Sequence, residues 1–262
     1  MLRRWTATAL LLLTGTVVAA SFEDVVGRVK PSVVSIGTYQ GTRSPQFMFR
    51  GTGFAVGDGH VIVTNAHVLP DSINDDRLET LAAMVPASGN TGQDHRRAAV
   101  ISVDREHDLA LLRIAGAALP PLRIAERDDY RDGESAAFTG FPIGAVLGLV
   151  PVTHRATISA VTPIALPSAN AGQLDTNTLR RLQGGAFPVL QLDATAYPGN
   201  SGSPLYDAST GEVLGIVNMV FVKSTKEAVL AQPSGISFAV PAIHLRNLLR
   251  RVPEARLDAP PR

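Results

Sequence analysis

The chain has 262 residues, of which 45% are hydrophobic and 18% charged, and its formal net charge is +1. This composition is typical of a globular protein, and a charge near zero gives no electrostatic footprint for a nucleic-acid partner. Because the sequence contains no cysteine, disulfides, thiolate metal sites and a cysteine nucleophile are excluded. A domain of this length buries enough surface to fold without cross-links.

The first 20 residues have the pattern of a secretory signal peptide. Arg3 and Arg4 supply the positive region, residues 7–18 the apolar run and residues 18–20 the small-residue cleavage site. The apolar run is shorter than the roughly 20 residues that span a bilayer, so we expect cleavage after Ala20 over retention as an anchor. The mature chain is then expected to have no membrane span and to be periplasmic or secreted from a bacterium.

A short helix is predicted at the start of the mature chain. Ser21 and Asp24 form a capping pattern, and apolar residues follow at helical spacing until Pro31. Apolar runs separated by turn residues then predict the six strands of a first barrel. These strands are expected at residues 32–39, 51–56, 60–64, 81–85, 98–103 and 109–114.

A charged, glycine-ended stretch at 126–133 is predicted to connect the first barrel to a second. The strands of the second barrel are expected at residues 135–139, 146–152, 156–161, 189–192, 212–222 and 235–240. The polar segment 163–187 is interpreted as a surface insert, with a helical stretch at 175–183.

The last predicted element is a helix over residues 241–252 that begins at Pro241. The Pro-rich residues 253–262 after it are expected to be disordered. The predicted domain therefore covers residues 21–252, with barrel one at about 31–125 and barrel two at about 134–240.

Three residues in separate motifs predict nucleophilic catalysis. Ser201 lies between Gly199 and Gly202, where the backbone can turn sharply and direct a hydroxyl and its neighbouring amides at one small volume. A serine nucleophile requires a histidine base and a group that orients this base, and His67 and Asp108 are the candidates. Each residue alone is more often structural, but together they predict nucleophile, general base and orienting carboxylate.

The order of these residues indicates the fold. His67, Asp108, Ser201 is the chain order of the chymotrypsin-like double barrel, whereas α/β-hydrolases and subtilisins have other orders. Ser203 stands where the nucleophile elbow of α/β-hydrolases requires glycine, which disfavours an esterase or lipase. The predicted fold is all-β, with two six-stranded antiparallel β-barrels of the chymotrypsin/trypsin type and a short N-terminal and a C-terminal helix.

Four segments in the same order resemble the protease domain of the HtrA/Deg serine endopeptidases: residues 64–69, 108–112, 192–202 and 235–241. The resemblance implies a trypsin-like serine protease that cleaves extended or unfolded polypeptides in envelope protein quality control. HtrA proteins commonly form trimers through the N-terminal segment, so a trimer is one expectation. The chain ends at Arg262, which leaves no room for a PDZ domain, and a family member without that domain is expected.

The resemblance also implies the remaining site residues. The amides of Gly199 and Ser201 would form the oxyanion hole. The base and walls of the specificity pocket would be Thr195, Asn218, Met219, Val220, Gly235 and Ser237. None of these is charged, which disfavours a strong preference for Arg or Lys and favours a small or medium apolar side chain. Residues 199–204 also resemble the glutamyl endopeptidases, although Val217 stands where those enzymes have a histidine.

Two interpretations of function remain open from the sequence. In the first, the protein is a serine endopeptidase that acts on polypeptides. In the second, it is a latent or inactive protease-like module that binds polypeptide partners, with loops 41–50 and 140–149 as candidates for blocking the site. No phosphate-binding, dinucleotide-binding or metal-ligand motif occurs in the sequence, so neither a metal nor another cofactor is expected.

Overall fold

The structure of the protein, a computed structural model, describes residues 20–86, 93–163, 187–218 and 235–253. Its first half forms a closed antiparallel barrel in which the strands follow the order β1-β2-β3-β6-β5-β4. The strands are β1 (Val33–Tyr39), β2 (Phe47–Val56), β3 (Val61–Asn65), β4 (Thr80–Pro86), β5 (Gln93–Asp104) and β6 (Leu109–Ile114).

The second half forms another closed antiparallel barrel, with the strand order β10-β11-β12-β9-β8-β7. Its strands are β7 (Glu134–Gly140), β8 (Val152–Pro163), β9 (Pro188–Asp193), β10 (Pro204–Asp207), β11 (Val213–Val217) and β12 (Ile236–Pro241). The predicted all-β fold of two six-stranded barrels is therefore confirmed.

Burial of apolar side chains accounts for both barrels and for their union. All residues of β3, β6 and β11 are buried, because these strands have other structure on both faces. One apolar cluster lies in the first barrel and one in the second. A third cluster contains residues from both barrels and from the two terminal helices, so the barrels and helices share one core.

Helix α1 (Phe22–Val29) begins at the predicted cap, since Ser21 and Asp24 form a reciprocal capping box. Val25 and Val29 are buried in the shared core, and the Arg155 guanidinium lies 3.8 Å from the centre of the Phe22 ring. The predicted N-terminal helix is confirmed, and its apolar stripe packs against the same chain.

The C-terminal helix, which we label α3 (Ala242–Arg251), is also confirmed. It buries Ala242, Leu245 and Leu248 against the shared core. Its final carbonyls precede Pro253, which cannot continue a helix. No helix in the described ranges is both long and apolar enough to span a bilayer.

The predicted strand at 146–152 is wrong. Residues Gly144–Leu147 form a short helix, α2, and the chain enters β8 only at Val152. Ile143 and Gly148 at its two ends have φ of 48° and 87°, a left-handed backbone that a continuous strand does not contain. The apolar composition of this segment does not reflect burial, since Val146 and Val150 are 77% and 66% exposed.

The missing strand of the second barrel is β10, which directly follows the turn at residues 198–203 that contains Ser201 and that we call the serine turn. It has only four residues and starts with Pro204, so its sequence lacks the length and alternation that predict a strand. Several predicted features lie outside the described residues: the signal peptide up to residue 19, the helix at 175–183, the end of the strand 212–222, and the tail from residue 254.

Candidate active site

The register of β3 and β6 brings His67 and Asp108 together. The last residue of β3, Asn65, pairs with the first residue of β6, Leu109. The residues just after β3 and just before β6 therefore meet at the same end of the first barrel. There the His67 backbone N–H donates to Asp108 Oδ1 at 2.9 Å, and His67 Nδ1 lies 2.6 Å from Asp108 Oδ2.

The backbone of Asp108 is held in an unusual conformation. Its φ is 55°, in the left-handed region that aspartate tolerates better than most residues. Its carbonyl accepts from the Ala66 N–H and from the Asn65 side-chain amide, each at 3.0 Å. These bonds, together with the His67 N–H, fix the direction in which the carboxylate points.

A residue of the second barrel, Asn218, completes the hydrogen bonding of the Asp108 carboxylate. Asn218, which is buried directly after β11, donates from Nδ2 to Asp108 Oδ2 at 2.8 Å. Since an ionised carboxylate can only accept, Nδ1 of His67 carries the proton and its Nε2 is left as the proton acceptor. The sequence reasoning missed this contact of Asn218; a polar residue at the end of a wholly buried strand is the signal for it.

Ser201 reaches the same place from the second barrel. Its carbonyl accepts from the Thr52 N–H of β2 at 2.8 Å. Gly51 lies between Val68, which follows His67, and Ser201. A side chain there would not fit, because its Cβ would be 2.7 Å from Val68 Cγ2 and 3.1 Å from the Ser201 carbonyl oxygen. The structure contains no hydrogen bond between the described side chains of Ser201 and His67, and such catalytic bonds are often long before substrate binds.

Hydrogen bonds to two carbonyls near Ser201 fix the directions of the backbone amides that follow them. The Pro198 carbonyl accepts from the Ile143 N–H at 2.7 Å, and the Asn200 carbonyl accepts from the Ser203 N–H at 3.0 Å. In a trans peptide the N–H points opposite to the C=O. The amides that follow these two carbonyls therefore point away from Ile143 and Ser203.

Those two amides belong to Gly199 and Ser201, the predicted oxyanion donors. Neither of them has an acceptor among the described residues, whereas the intervening Asn200 amide donates to the Tyr197 carbonyl at 2.9 Å. Gly199 has a φ of 102°, a conformation that glycine adopts without strain. The turn thus offers two unpaired donors beside a serine hydroxyl, which is suited to binding a negatively charged oxygen.

A family model for the trypsin-like peptidase domain matches residues 51–216, which is more than half of the chain. The chain belongs to the trypsin-like peptidase family. This match includes His67, Asp108 and Ser201 together with the strands that carry them.

Two curated relatives confirm the predicted resemblance of this trypsin-like peptidase to HtrA/Deg proteins. A "probable periplasmic serine endoprotease DegP-like" of Pseudomonas fluorescens is 29% identical over 216 residues, covering 80% of the chain and 37% of the relative. The mitochondrial serine protease HTRA2 of Bos taurus is 32% identical over 234 residues, covering 87% and 42%. The chain thus spans less than half the length of these relatives.

Solved structures share the fold of the trypsin-like peptidase. The serine endoprotease from Yersinia pestis has a TM-score of 0.61 at 24% identity, covering 89% of the chain and 67% of that structure. The active form of the Rv3671c protease from M. tuberculosis has a TM-score of 0.62 at 22% identity and covers 94% of each chain. At these identities the likeness shows the fold alone.

The predicted specificity pocket of the trypsin-like peptidase is described on one side. Thr195 is half-buried after β9, and the buried Ser237 of β12 donates from its hydroxyl to the neighbouring Ala194 carbonyl at 2.9 Å. Gly235 lies at the entry to β12 with open space where a side chain would be. Met219 and Val220 lie outside the described residues, so the preference for an apolar side chain stays a prediction.

His107 of the trypsin-like peptidase has partners other than its neighbour Asp108. Its Nδ1 lies 3.0 Å from Asp104 Oδ2, and its ring stacks on that of His244 with the ring centres 3.9 Å apart. His107 lies in a turn at residues 105–108, and its bond to Asp104 directs its ring away from a role as the base for Ser201. Burial lowers the pKa of His244 to about 4, and the neighbouring His107 adds to this lowering.

The same region contains a group of metal-ligand types. Among the described residues, ligand atoms of Asp104, Glu106 and His107 lie within 4.8 Å of one another. Asp104 is already bonded to His107 and to Arg251, the latter at 2.9 Å. Burial acts to raise the pKa of Asp104, but the hydrogen bonds from His107 and the nearby cations outweigh it and hold this pKa below its ordinary value. The group therefore has the bonding of a structural ion-pair network.

Proposed function

We propose that this protein is a serine endopeptidase that needs no cofactor and cleaves extended or unfolded polypeptides through an acyl-enzyme. One observation carries the proposal. The bonded His67–Asp108 pair lies beside the serine turn, in which the amides of Gly199 and Ser201 have no acceptor among the described residues. The hydrogen bonds made by the neighbouring carbonyls set the directions of these two amides. In this proposal residues 21–252 form the protease domain.

Each group has a role in the proposed reaction. Ser201 Oγ attacks the carbonyl carbon of the substrate, and His67 Nε2 takes the hydroxyl proton and then gives it to the leaving amine. Asp108 keeps the imidazole in the required tautomer and stabilises its charged form, and Asn218 holds the carboxylate in place. A water activated by the same histidine then hydrolyses the acyl ester.

The negative oxygen of each tetrahedral intermediate would be bound by the amides of Gly199 and Ser201. Because these donors are already oriented, their contribution costs no reorganisation during the reaction. The loss of one such donor lowers the rate of related enzymes by about 100- to 1,000-fold.

The substrate would bind in an extended conformation. The region of Asn218–Val220 would pair with its backbone as an added strand, and the uncharged residues Thr195 and Ser237 would receive a small or medium apolar side chain. An extended backbone with free hydrogen-bonding groups is far more available in unfolded polypeptides than in compact proteins, where most of it is already paired. A role in envelope protein quality control follows, in the bacterial periplasm or outside the cell, which agrees with the periplasmic DegP-like relative.

A homo-oligomer, with a trimer as the first candidate, belongs to the same proposal. Since Val25 and Val29 of α1 are buried against the chain's own barrels, the apolar stripe of this helix is not available for a trimer contact. An interface through the N-terminal segment would have to use the outer face of α1 or residues before it.

One observation favours the alternative of a latent module: the absence of a hydrogen bond between Ser201 and His67. Against it, the loop 140–149 supports the serine turn, because the Ile143 N–H holds the Pro198 carbonyl. In the other candidate loop, residues 41–50, the Arg50 side chain donates to the carbonyls of Val68 and Leu69, which directly follow the proposed base His67.

Reaction with a fluorophosphonate probe tests the proposal. The mature wild-type protein and the Ser201→Ala variant would be treated side by side, with the labelled peptide located by mass spectrometry and cleavage of unfolded casein measured in parallel. We expect labelling at Ser201 and casein cleavage in the wild type and neither in the variant. Absence of both from a well-folded wild type would favour the latent module.

A further inference from the structure

Thr52 is a fully buried residue of β2 that reaches from the first barrel to the serine turn of the second. Its hydroxyl donates to the Gly199 carbonyl at 2.7 Å and accepts from the Phe141 N–H at 3.1 Å. Its backbone N–H donates to the Ser201 carbonyl at 2.8 Å. A hydroxyl has one proton to donate, so this pair of bonds defines a single orientation of the group.

The carbonyls that Thr52 holds belong to the residues that carry the proposed oxyanion donors. The Ile143 N–H holds the Pro198 carbonyl and the Ser203 N–H holds the Asn200 carbonyl. With the two bonds from Thr52, every carbonyl from Pro198 to Ser201 has a donor. The peptide planes before and after each donor amide are therefore fixed, by Ser203 within the turn at the Asn200 carbonyl and by Ile143 and Thr52 from outside it at the other three.

Glycine at position 199 makes this external hold necessary. A glycine populates positive and negative φ about equally, so the residue type alone does not select the observed 102°. The bond from Ile143 fixes the peptide plane before Gly199. The plane after it is held at both ends, by the Asn200 N–H, which donates to the Tyr197 carbonyl, and by the Thr52 hydroxyl, which donates to the Gly199 carbonyl. Together they leave one value of φ and one direction for the Gly199 N–H.

We infer that Thr52 is a positioning residue for the oxyanion hole: its hydroxyl holds the Gly199 carbonyl and thereby directs the Gly199 and Ser201 amides at the reacting oxygen. The inference rests on the proposed function, since it concerns the same reaction. Thr52 touches no reacting atom and acts only through the serine turn.

The Thr52→Val variant tests the role of the hydroxyl. Valine has nearly the same shape and keeps the backbone bond to Ser201, so only the hydroxyl is lost. With an internally quenched peptide that has valine before the cut bond, we expect kcat to fall about 10- to 100-fold, less than for loss of a whole donor. KM should stay within about twofold, because the two amides bind the negative oxygen of the transition state much more strongly than the carbonyl of the bound substrate. Thr52→Ser keeps the hydroxyl and should retain most of the wild-type kcat.

Thr139→Val is the matched control. Thr139 is equally buried, and its hydroxyl bonds to Thr153 Oγ1 and the Tyr206 hydroxyl, each at 2.9 Å, without touching the serine turn. This variant should lose stability to a similar extent but keep the wild-type kcat. If both valine variants lower kcat in proportion to their loss of stability, the effect of Thr52 is general and the inference is overturned.

Amide hydrogen exchange gives a readout that does not depend on catalysis. We expect peptides covering residues 199–203 to exchange faster in Thr52→Val than in the wild type, and to be unchanged in Thr139→Val. If the wild type is inert to substrate and probe, the proposed function fails, but exchange at 199–203 still decides whether Thr52 holds the turn. Unchanged exchange overturns the inference, and so does an unchanged kcat of Thr52→Val when the wild type is active.

Discussion

Three donors converge on the carboxylate of Asp108: the backbone N–H and Nδ1 of His67 and the side-chain amide of Asn218. This arrangement leaves the imidazole one tautomer, with the proton on Nδ1 and the lone pair on Nε2. The ability of His67 to act as the base for Ser201 therefore requires a hydrogen-bond acceptor at residue 108. A side chain of the same shape that donates instead would not suffice.

Replacement of Asp108 by asparagine tests this dependence. In Asp108→Asn the amide can donate to Nδ1, which moves the ring proton to Nε2 and removes the base. If the proposed triad is correct, we expect kcat to fall roughly 10⁴-fold, the loss that the same change causes in a characterised Ser-His-Asp protease, with little change in fold. Steady-state kinetics and the thermal midpoint would be compared with the wild type. A loss of less than about tenfold in a well-folded variant would contradict the proposed role of Asp108.

Gly202 and Gly133 form a matched pair for the cost of a side chain in the serine turn. Their φ values are 87° and 85°, but only Gly202 is crowded, since a Cβ there would lie 2.6 Å from Thr64 Oγ1 and would also collide with the Thr52 carbonyl oxygen. Gly133→Ala should cost about 1–2 kcal/mol for the left-handed backbone alone. Gly202→Ala should cost about 2 kcal/mol more because backbone must move.

Urea unfolding of the two alanine variants measures this difference. Equal free energies of unfolding would mean that the serine turn adjusts to a methyl group as easily as an exposed turn does. That result would also contradict the picture of a turn held rigidly from both sides.

At the residue scale, the sequence predicted the groups that lie in motifs and missed the contacts that depend on strand register: Thr52 was not predicted, and Asn218 was predicted for the specificity pocket but not for its bond to Asp108. His67, Asp108 and Ser201 each lie in a recognisable segment. The bonds of Thr52 and Asn218 arise because β2 and β11 happen to align with the serine turn and with the start of β6. Alignment between distant segments depends on how the barrels close, and no local pattern contains it.

At the element scale, burial explains which strands were predicted well. Every residue of β6 is buried and its predicted bounds, 109–114, are those observed. The segment 146–152 has a similar apolar content but is largely exposed at Val146 and Val150. Hydrophobicity alone does not distinguish a core strand from an apolar surface turn, and β10 shows the reverse case of a buried strand too short to detect.

The stacking of His244, on α3, against His107 predicts a dependence of stability on pH. Burial, and next the charge of His107, lower the pKa of His244 on α3 from 6.5 to about 4, although Asp104 and Asp128 act against this. Below pH 6.5 His244 therefore binds a proton in the unfolded chain but not in the folded chain. The free energy of unfolding falls as the pH falls from about 6.5 to about 4. The loss has an upper limit of about 3 kcal/mol for this group.

Urea unfolding of the wild type and His244→Phe between pH 8 and pH 4 measures this effect. Phenylalanine keeps the stacked ring but cannot take a proton, so the stability of the variant should fall less steeply with decreasing pH. A remainder is expected from His154, whose pKa burial also lowers. Parallel curves for the two proteins would show that His244 is not the group that destabilises the fold in acid.

At the scale of the whole molecule, the proposed site exists only where the two barrels meet. The first barrel supplies His67 and Asp108, and the second supplies Ser201. The bonds from Thr52 to the serine turn and from Asn218 to Asp108 cross between them. The apolar cluster beneath contains residues of both barrels, α1 and α3, so the packing that closes the barrels on each other is the packing that assembles the site.

This shared core predicts that the site and the fold are lost together. Because one apolar cluster joins both barrels and both terminal helices, the domain should unfold in urea as a single cooperative unit. We expect the far-UV circular dichroism signal and the fluorophosphonate reactivity of Ser201 to disappear with the same midpoint. The Ser201→Ala variant, monitored by circular dichroism alone, controls for stabilisation by the probe. If reactivity were lost at a clearly lower urea concentration than the dichroism signal, the junction would open locally before the barrels unfold, and the site would be less rigid than the crossing bonds imply.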